Sequence, residues 1–220
     1  MPPIRVAELL AAVAGSLSVV TALAIIWGAR LTIPRDLYVS ELGAQGMPTA
    51  EWFRVALLLI VAGGSLVAWA GRGIRSRVRV LDAWTPSVSL WVGSALFLFA
   101  SQVTCTPGCP VPYGPDFVWQ DFWHTTAAVL AFAAACWAML QSAFARGHRV
   151  LAVISAASGI SVAVIAGAGG LMSVFRWQAE FGSRLEFVAT TMAIGWLVLL
   201  GATIVGRILK PVEQVTAVAA

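Results

Sequence analysis

The chain has 220 residues, of which 60% are hydrophobic and 11% charged, and carries a net charge of +4. Soluble domains hold about 25% charged residues, so this composition, with a mean hydropathy of +0.87, excludes an ordinary soluble fold and indicates a multi-pass membrane protein. The basic balance does not indicate nucleic acid, because the arginines sit in short clusters between apolar runs.

At about 20 residues per crossing, the chain reads as all-α, a single transmembrane domain over 1–220 built as a bundle of six helices. Span one covers about 7–27 and is expected to be retained, being too long for the apolar core of a cleavable signal. A polar loop with Ser40-Glu41-Leu42-Gly43, Gly46 and Pro48 follows. Span two, about 51–70, has Thr49 as its expected N-cap and Glu51 in its first turn. A short loop then packs Arg72, Arg75, Arg77 and Arg79 together, before span three at about 87–103. The stretch 104–124, TCTPGCPVPYGPDFVWQDFWH, comes next; it holds two of the three cysteines, four of the ten prolines and one of the two histidines. Span four covers about 117–145, span five about 150–174 and span six about 187–208. Span five carries Gly159, Ala163, Gly167, Gly169 and Gly170, small residues that let helix backbones approach closely in a bilayer.

With both termini cytoplasmic, Arg5, Arg72, Arg75, Arg77, Arg79, Arg146, Arg149, Arg207 and Lys210 lie inside, and Arg30, Arg35, Arg54, Arg176 and Arg184 outside. That bias obeys the positive-inside rule. The acids run the other way: Asp36, Glu41, Glu51, Asp116, Asp121, Glu180 and Glu186 all fall outside. Acids do not set topology, so their clustering calls for a structural or functional cause. Trp52, Trp119, Trp123 and Trp177 form the expected outer aromatic belt.

Cys105 and Cys109 flank Thr-Pro-Gly, a turn signal, in a loop placed where disulfides persist. A Cys105–Cys109 bridge that stiffens a cap is expected; the alternative, a redox pair, usually has two intervening residues rather than the three found here. Cys136 reads as a small apolar packer. Asp121 and His124 are three apart and share a helix face, either as a structural pair or as a ligand or proton-handling site. Glu41 is expected beside them at the bundle mouth, with Glu180, Arg184 and Glu186 close by. The catalytic candidates are Glu41, Asp121 and His124; the ligand-binding candidates are Ser40, Glu41, Asp121, His124 and Glu186. Neither a metal nor a cofactor is expected. A bis-histidine haem needs both ligands at one depth, and His124 and His148 fall at opposite ends; a zinc hydrolase commonly uses several histidines. A Ser40–His124–Asp121 nucleophile lacks an elbow motif. The glycines at 167–170 lie inside an apolar run, which is no place for a phosphate loop.

The segments LYVSELGAQGMPTAEWF (37–53), CTPGCPVP (105–112) and DFWH (121–124) resemble the bacterial family known as domain of unknown function 998, and the resemblance covers essentially the whole chain. Ser40, Glu41, Gly43, Pro48, Asp121 and His124 carry it. That family is similar to the eukaryotic Frag–DRAM–Sfk membrane proteins, which have a Ser-Asp-x-Gly loop where this chain has Glu41. The resemblance implies a bacterial cytoplasmic membrane protein in which Ser40, Glu41, Asp121 and His124 act as one site. Members of the eukaryotic group are tied to lipid-anchor remodelling, lipid organisation and autophagy. The resulting expectation is an outer polar pocket that binds, remodels or moves a lipid or amphiphile, with membrane lipids as partners. The alternatives are an accessory subunit packed on another membrane protein or a further copy of itself, and a proton-coupled transporter. No nucleic-acid partner is expected.

Overall fold

Apolar runs with no interior proline set the helices, and the loop residues between them set their ends. The structure, a computed structural model, describes residues 2–111, 113–115 and 117–209. Asp116 and Lys210, counted above among the outer acids and inner cations, lie outside the described residues, as does Pro112 of the cysteine loop. Helix α1 spans Pro3–Leu31, α2 Ala50–Ala70, α3 Pro86–Gln102, α4 Trp119–Ala143, α5 Arg149–Val174 and α6 Ala179–Leu209. A 3₁₀ turn, Ser40–Gly43, stands between α1 and α2. Pro3 and Pro86 sit in the first turns of α1 and α3, where a missing N–H costs nothing, and Thr85 caps α3 by accepting from the Val88 N–H at 3.4 Å.

Five of the helices are 21 to 31 residues long and apolar enough to cross a bilayer. Helix α3, with 17 residues, reaches about 25 Å at 1.5 Å per residue, slightly short of a hydrocarbon core of about 30 Å. Each helix packs on its neighbours in the chain, and α6 closes the ring on α1 while also touching α2. Trp196, Ile26, Met139 and Leu200 are fully buried in the centre. Helix α5 is the most outward, presenting Val153, Ile160, Val164 and Leu171 to the surroundings. Backbones come closest at the α1–α2 crossing, where a Cβ on Gly15 would lie 2.7 Å from the Gly63 carbonyl oxygen and one on Gly63 would lie 2.7 Å from that of Gly15. In a bilayer, where lipid tails are as apolar as leucine, such close packing holds helices together.

The two ends of the bundle differ in chemistry. At one end Arg72 pairs with Glu8 at 2.8 Å, Arg146 with Asp82 at 3.6 Å, and the two connecting loops zip together through the Arg77 N–H to the Phe144 carbonyl and the Arg146 N–H to the Arg75 carbonyl. The opposite, cap end carries the 3₁₀ turn and the cysteine loop. There Trp52, Trp119, Trp123 and Trp177 stand well exposed.

Two local expectations change. Helix α6 begins at Ala179 rather than near 187, so Glu180, Arg184 and Glu186 lie on its first turns and not in a loop. Charges are tolerated there because this is the polar end of the bundle, and an acid in the first turn suits the helix dipole. Thr49 does hold the N-cap position of α2, but its hydroxyl makes no cap bond; it donates instead to the Leu42 carbonyl at 2.8 Å, tying α2 to the 3₁₀ turn.

Candidate functional site at the cap end

The chain leaving α1 must turn sharply to enter α2, and carboxylates hold that turn. Ser40, half-buried, opens it. Glu41 accepts from the Tyr38 backbone N–H at 3.0 Å and pairs with Arg35 at 3.0 Å. Glu186, reaching over from α6, accepts from the next N–H, that of Val39, at 2.9 Å. Two acids from distant parts of the chain thus meet on consecutive amides, which satisfies donors that the turn leaves unpaired. Gly43 lies directly under Phe53: a Cβ there would be 2.5 Å from the ring. Gly43→Ala is therefore expected to destabilise the protein by about 1–3 kcal/mol through overpacking, measured as a lower melting temperature in detergent.

The cysteine loop is built on a type II turn. Pro107 and Gly108 occupy its centre, Gly108 has φ of 80°, and the Cys109 N–H donates to the Thr106 carbonyl at 2.9 Å. Cys105 and Cys109 form the expected disulfide. Asp121, fully buried on the first turn of α4, grips this turn: its two oxygens accept from the Thr106 N–H and the Thr106 hydroxyl, each at 2.7 Å. His124, one turn on, is 5% exposed and its Nδ1 lies 2.6 Å from the Val103 carbonyl and 3.2 Å from that of Ala100. Nδ1 therefore carries the proton and donates to carbonyls that the C-terminus of α3 leaves unpaired. Gln120 adds a hydrogen bond to the Thr104 carbonyl.

The expected convergence of Ser40, Glu41, Asp121 and His124 is thus realised in part. The two loops do meet, through the Gln45 N–H donating to the Cys105 carbonyl at 2.9 Å. The carboxylates work apart: Glu41 and Glu186 hold the 3₁₀ turn, while Asp121 and His124 hold the cysteine loop and the end of α3. Outside both sets, Asp36 bridges Arg184 at 3.1 Å and Arg30 at 3.0 Å, joining α6 to α1. The hydrogen bond from Arg184, with the charges of both arginines, holds the Asp36 carboxyl below its usual range, and burial pushes the Tyr38 phenol up.

One cavity at this end, about 10 Å³, is lined by His124, Gly43, Phe53, Arg54, Ser101 and Thr104 among others. It has room for a single water molecule. A second, of about 510 Å³, opens between the last turns of α1 and the first of α2; Ile25, Gly28, Ala29, Thr32, Ile33, Pro48, Thr49 and Trp52 line it. Neither is lined by Ser40, Glu41, Asp121 or Glu186. Sequence reasoning did not find this groove, since its walls are ordinary apolar residues with no chemical signature. It also missed Thr106 and Gln45, although a buried aspartate beside a tight turn always requires donors.

A family model described as Protein of unknown function (DUF998) matches residues 10–203 of the chain. The chain belongs to that family. No curated protein and no solved structure matches it. In this DUF998 chain Leu42 ties the 3₁₀ turn to α2 through the Thr49 hydroxyl, Asp121 ties the cysteine loop to α4, and His124 ties α4 to the end of α3.

Proposed function

We propose that this multi-pass membrane protein binds a lipid or amphiphile at its cap end, and that the 510 Å³ groove between α1 and α2 takes the apolar chain. The size of the groove carries this reading, since it lies within the roughly 300–1,000 Å³ of small-molecule sites. Its walls support it. The Thr49 hydroxyl is committed to the Leu42 carbonyl and the Thr32 hydroxyl to that of Ala29 at 2.7 Å, so the lining offers hydrocarbon and few free polar groups. Under this reading Glu41 and Glu186 hold the 3₁₀ turn that Ser40 opens, Asp121 and His124 hold the cysteine loop and the end of α3, and Glu41 with Arg35 offers polar contacts to a headgroup. The cap end faces out of the cytoplasm, by the arginine asymmetry.

Gly28 provides the test. A Cβ at Gly28 meets nothing within 4 Å, so Gly28→Trp fills the groove without disturbing the helix contacts. Native mass spectrometry of purified protein is expected to show an amphiphile retained by the wild type and lost in Gly28→Trp at an unchanged melting temperature. Equal retention by both would sink the proposal. Topology is tested separately: a cysteine replacing Tyr113 is expected to react with an impermeant maleimide from outside the cell, and one replacing Arg75 only after lysis. The reverse pattern overturns the orientation.

A second reading, an accessory subunit without a ligand, is favoured by Asp121 and His124 having their hydrogen bonds met inside the cap. It predicts that Glu41→Gln and His124→Ala lose folded protein rather than activity alone. Proton-coupled transport is the weakest of the three readings. Among the described residues no ionisable side chain other than cysteine lies in the middle turns of any helix, where carriers place them.

A further inference from the structure

The cysteine loop does more than cap the bundle. Both cysteine sulfurs and a ring nitrogen of His124 lie within 4.8 Å of one another. Counting histidines alone had set a metal aside, yet two thiolates and one imidazole make a soft donor set suited to Cu(I) and Zn(II). We propose that Cys105, Cys109 and His124 form a redox-gated site for such a thiophilic d¹⁰ cation: closed as the disulfide, open as the dithiol.

Three features of the loop favour this. The first is that the ligands stay together when the S–S bond is broken. Asp121 holds the Thr106 N–H and hydroxyl at 2.7 Å, the 106–109 turn keeps its own 2.9 Å hydrogen bond, and Gln45 holds the Cys105 carbonyl at 2.9 Å. None of these depends on the disulfide. Metal–sulfur bonds of about 2.3 Å and metal–nitrogen bonds of about 2.0 Å keep all three donors within the 4.8 Å they already span, once the two sulfurs swing apart on breaking the S–S bond. Second, the Nδ1–H of His124 is already donated to the Val103 and Ala100 carbonyls, the kind of outer contact that orients metal-ligating imidazoles and leaves the Nε2 lone pair available. Third, access is graded. Cys105 is fully buried, Cys109 half-buried, and Pro107 and Gly108 beside it are exposed. A dithiol reductant approaching from solvent attacks the Cys109 sulfur and expels the Cys105 thiolate next to His124. The reductant is oxidised to its own disulfide while its two electrons and two protons convert Cys105–Cys109 into two thiols. Binding a cation then releases both thiol protons as two S–metal bonds form.

The experiment uses the full chain in detergent with Cys136→Ser, which removes the remaining thiol. Zinc binding is probed with Co(II), through its thiolate charge-transfer absorption, and Cu(I) binding by competition with a chromophoric chelator. After phosphine reduction one ion of either kind is expected per chain, and none before reduction. Adding Cys105→Ser and Cys109→Ser is expected to abolish binding, and His124→Ala to weaken it more than about tenfold. Comparing the oxidised and reduced forms of one protein keeps the test valid even where His124→Ala folds poorly. Equal uptake by both forms, no uptake of either ion after reduction, or affinity unchanged in a folded His124→Ala protein would each overturn the proposal.

Discussion

Replacing Asp121 with alanine is expected to lower the stability of the folded protein by about 3 kcal/mol. The carboxylate is fully buried and accepts two hydrogen bonds of 2.7 Å, both from Thr106. Hydrogen bonds to a charged group contribute about 1.5–3 kcal/mol each, and removing the acceptor leaves the Thr106 N–H and hydroxyl without their partner in a partly buried place. The loss falls on one loop. Besides a lower melting temperature, the Cys105–Cys109 bridge should therefore be reduced faster by a water-soluble reductant, because the 106–109 turn has lost both of its own hydrogen bonds to α4. Asp121→Asn keeps one acceptor oxygen and is expected to fall between wild type and alanine on both measures. A variant that melts lower but is reduced at the wild-type rate would show that Asp121 stabilises something other than this loop.

Gly63→Leu is expected to be at least as damaging, by about 3 kcal/mol or more, at the upper end of overpacking effects. The added side chain would start 2.7 Å from the Gly15 carbonyl oxygen and 2.7 Å from a Val19 methyl. Backbone cannot step aside as the end of a flexible side chain can, so α1 and α2 must separate along their length. That in turn disturbs the α1–α6 contact, which closes the ring. The readout is the yield of monodisperse protein in mild detergent together with its melting temperature. Gly28→Leu, on the partner helix α1 but with open space at its Cβ, is the matched control and is expected to stay within about 0.5 kcal/mol of wild type. If the two variants behave alike, the close crossing is not what holds α1 to α2.

Both predictions rest on contacts that differ in how far the sequence foretold them. Glycines were recognised as packing residues in span five, but the closest crossing is between Gly15 and Gly63 of the first two helices. Which glycine meets another backbone depends on helix rotation and crossing point, and hydropathy contains neither. The same holds for Asp121 and His124. Their shared face follows from a spacing of three, whereas their separate partners, Thr106 for one and the end of α3 for the other, depend on where the cysteine loop comes to rest.

The sequence by itself determined the class of molecule, six apolar helices with polar ends, because long apolar runs in this chain have no other stable home than a bilayer. It also determined the disulfide and the turn that brings it together, since Thr-Pro-Gly between two cysteines is a local signal. Only the tertiary structure decided which acids meet which amides and that α6 begins at Ala179. It alone revealed the groove between α1 and α2 and placed the two sulfurs of 105 and 109 beside the His124 ring. These are properties of distances between segments far apart in the chain, fixed by how the helices pack and not by any one stretch of residues.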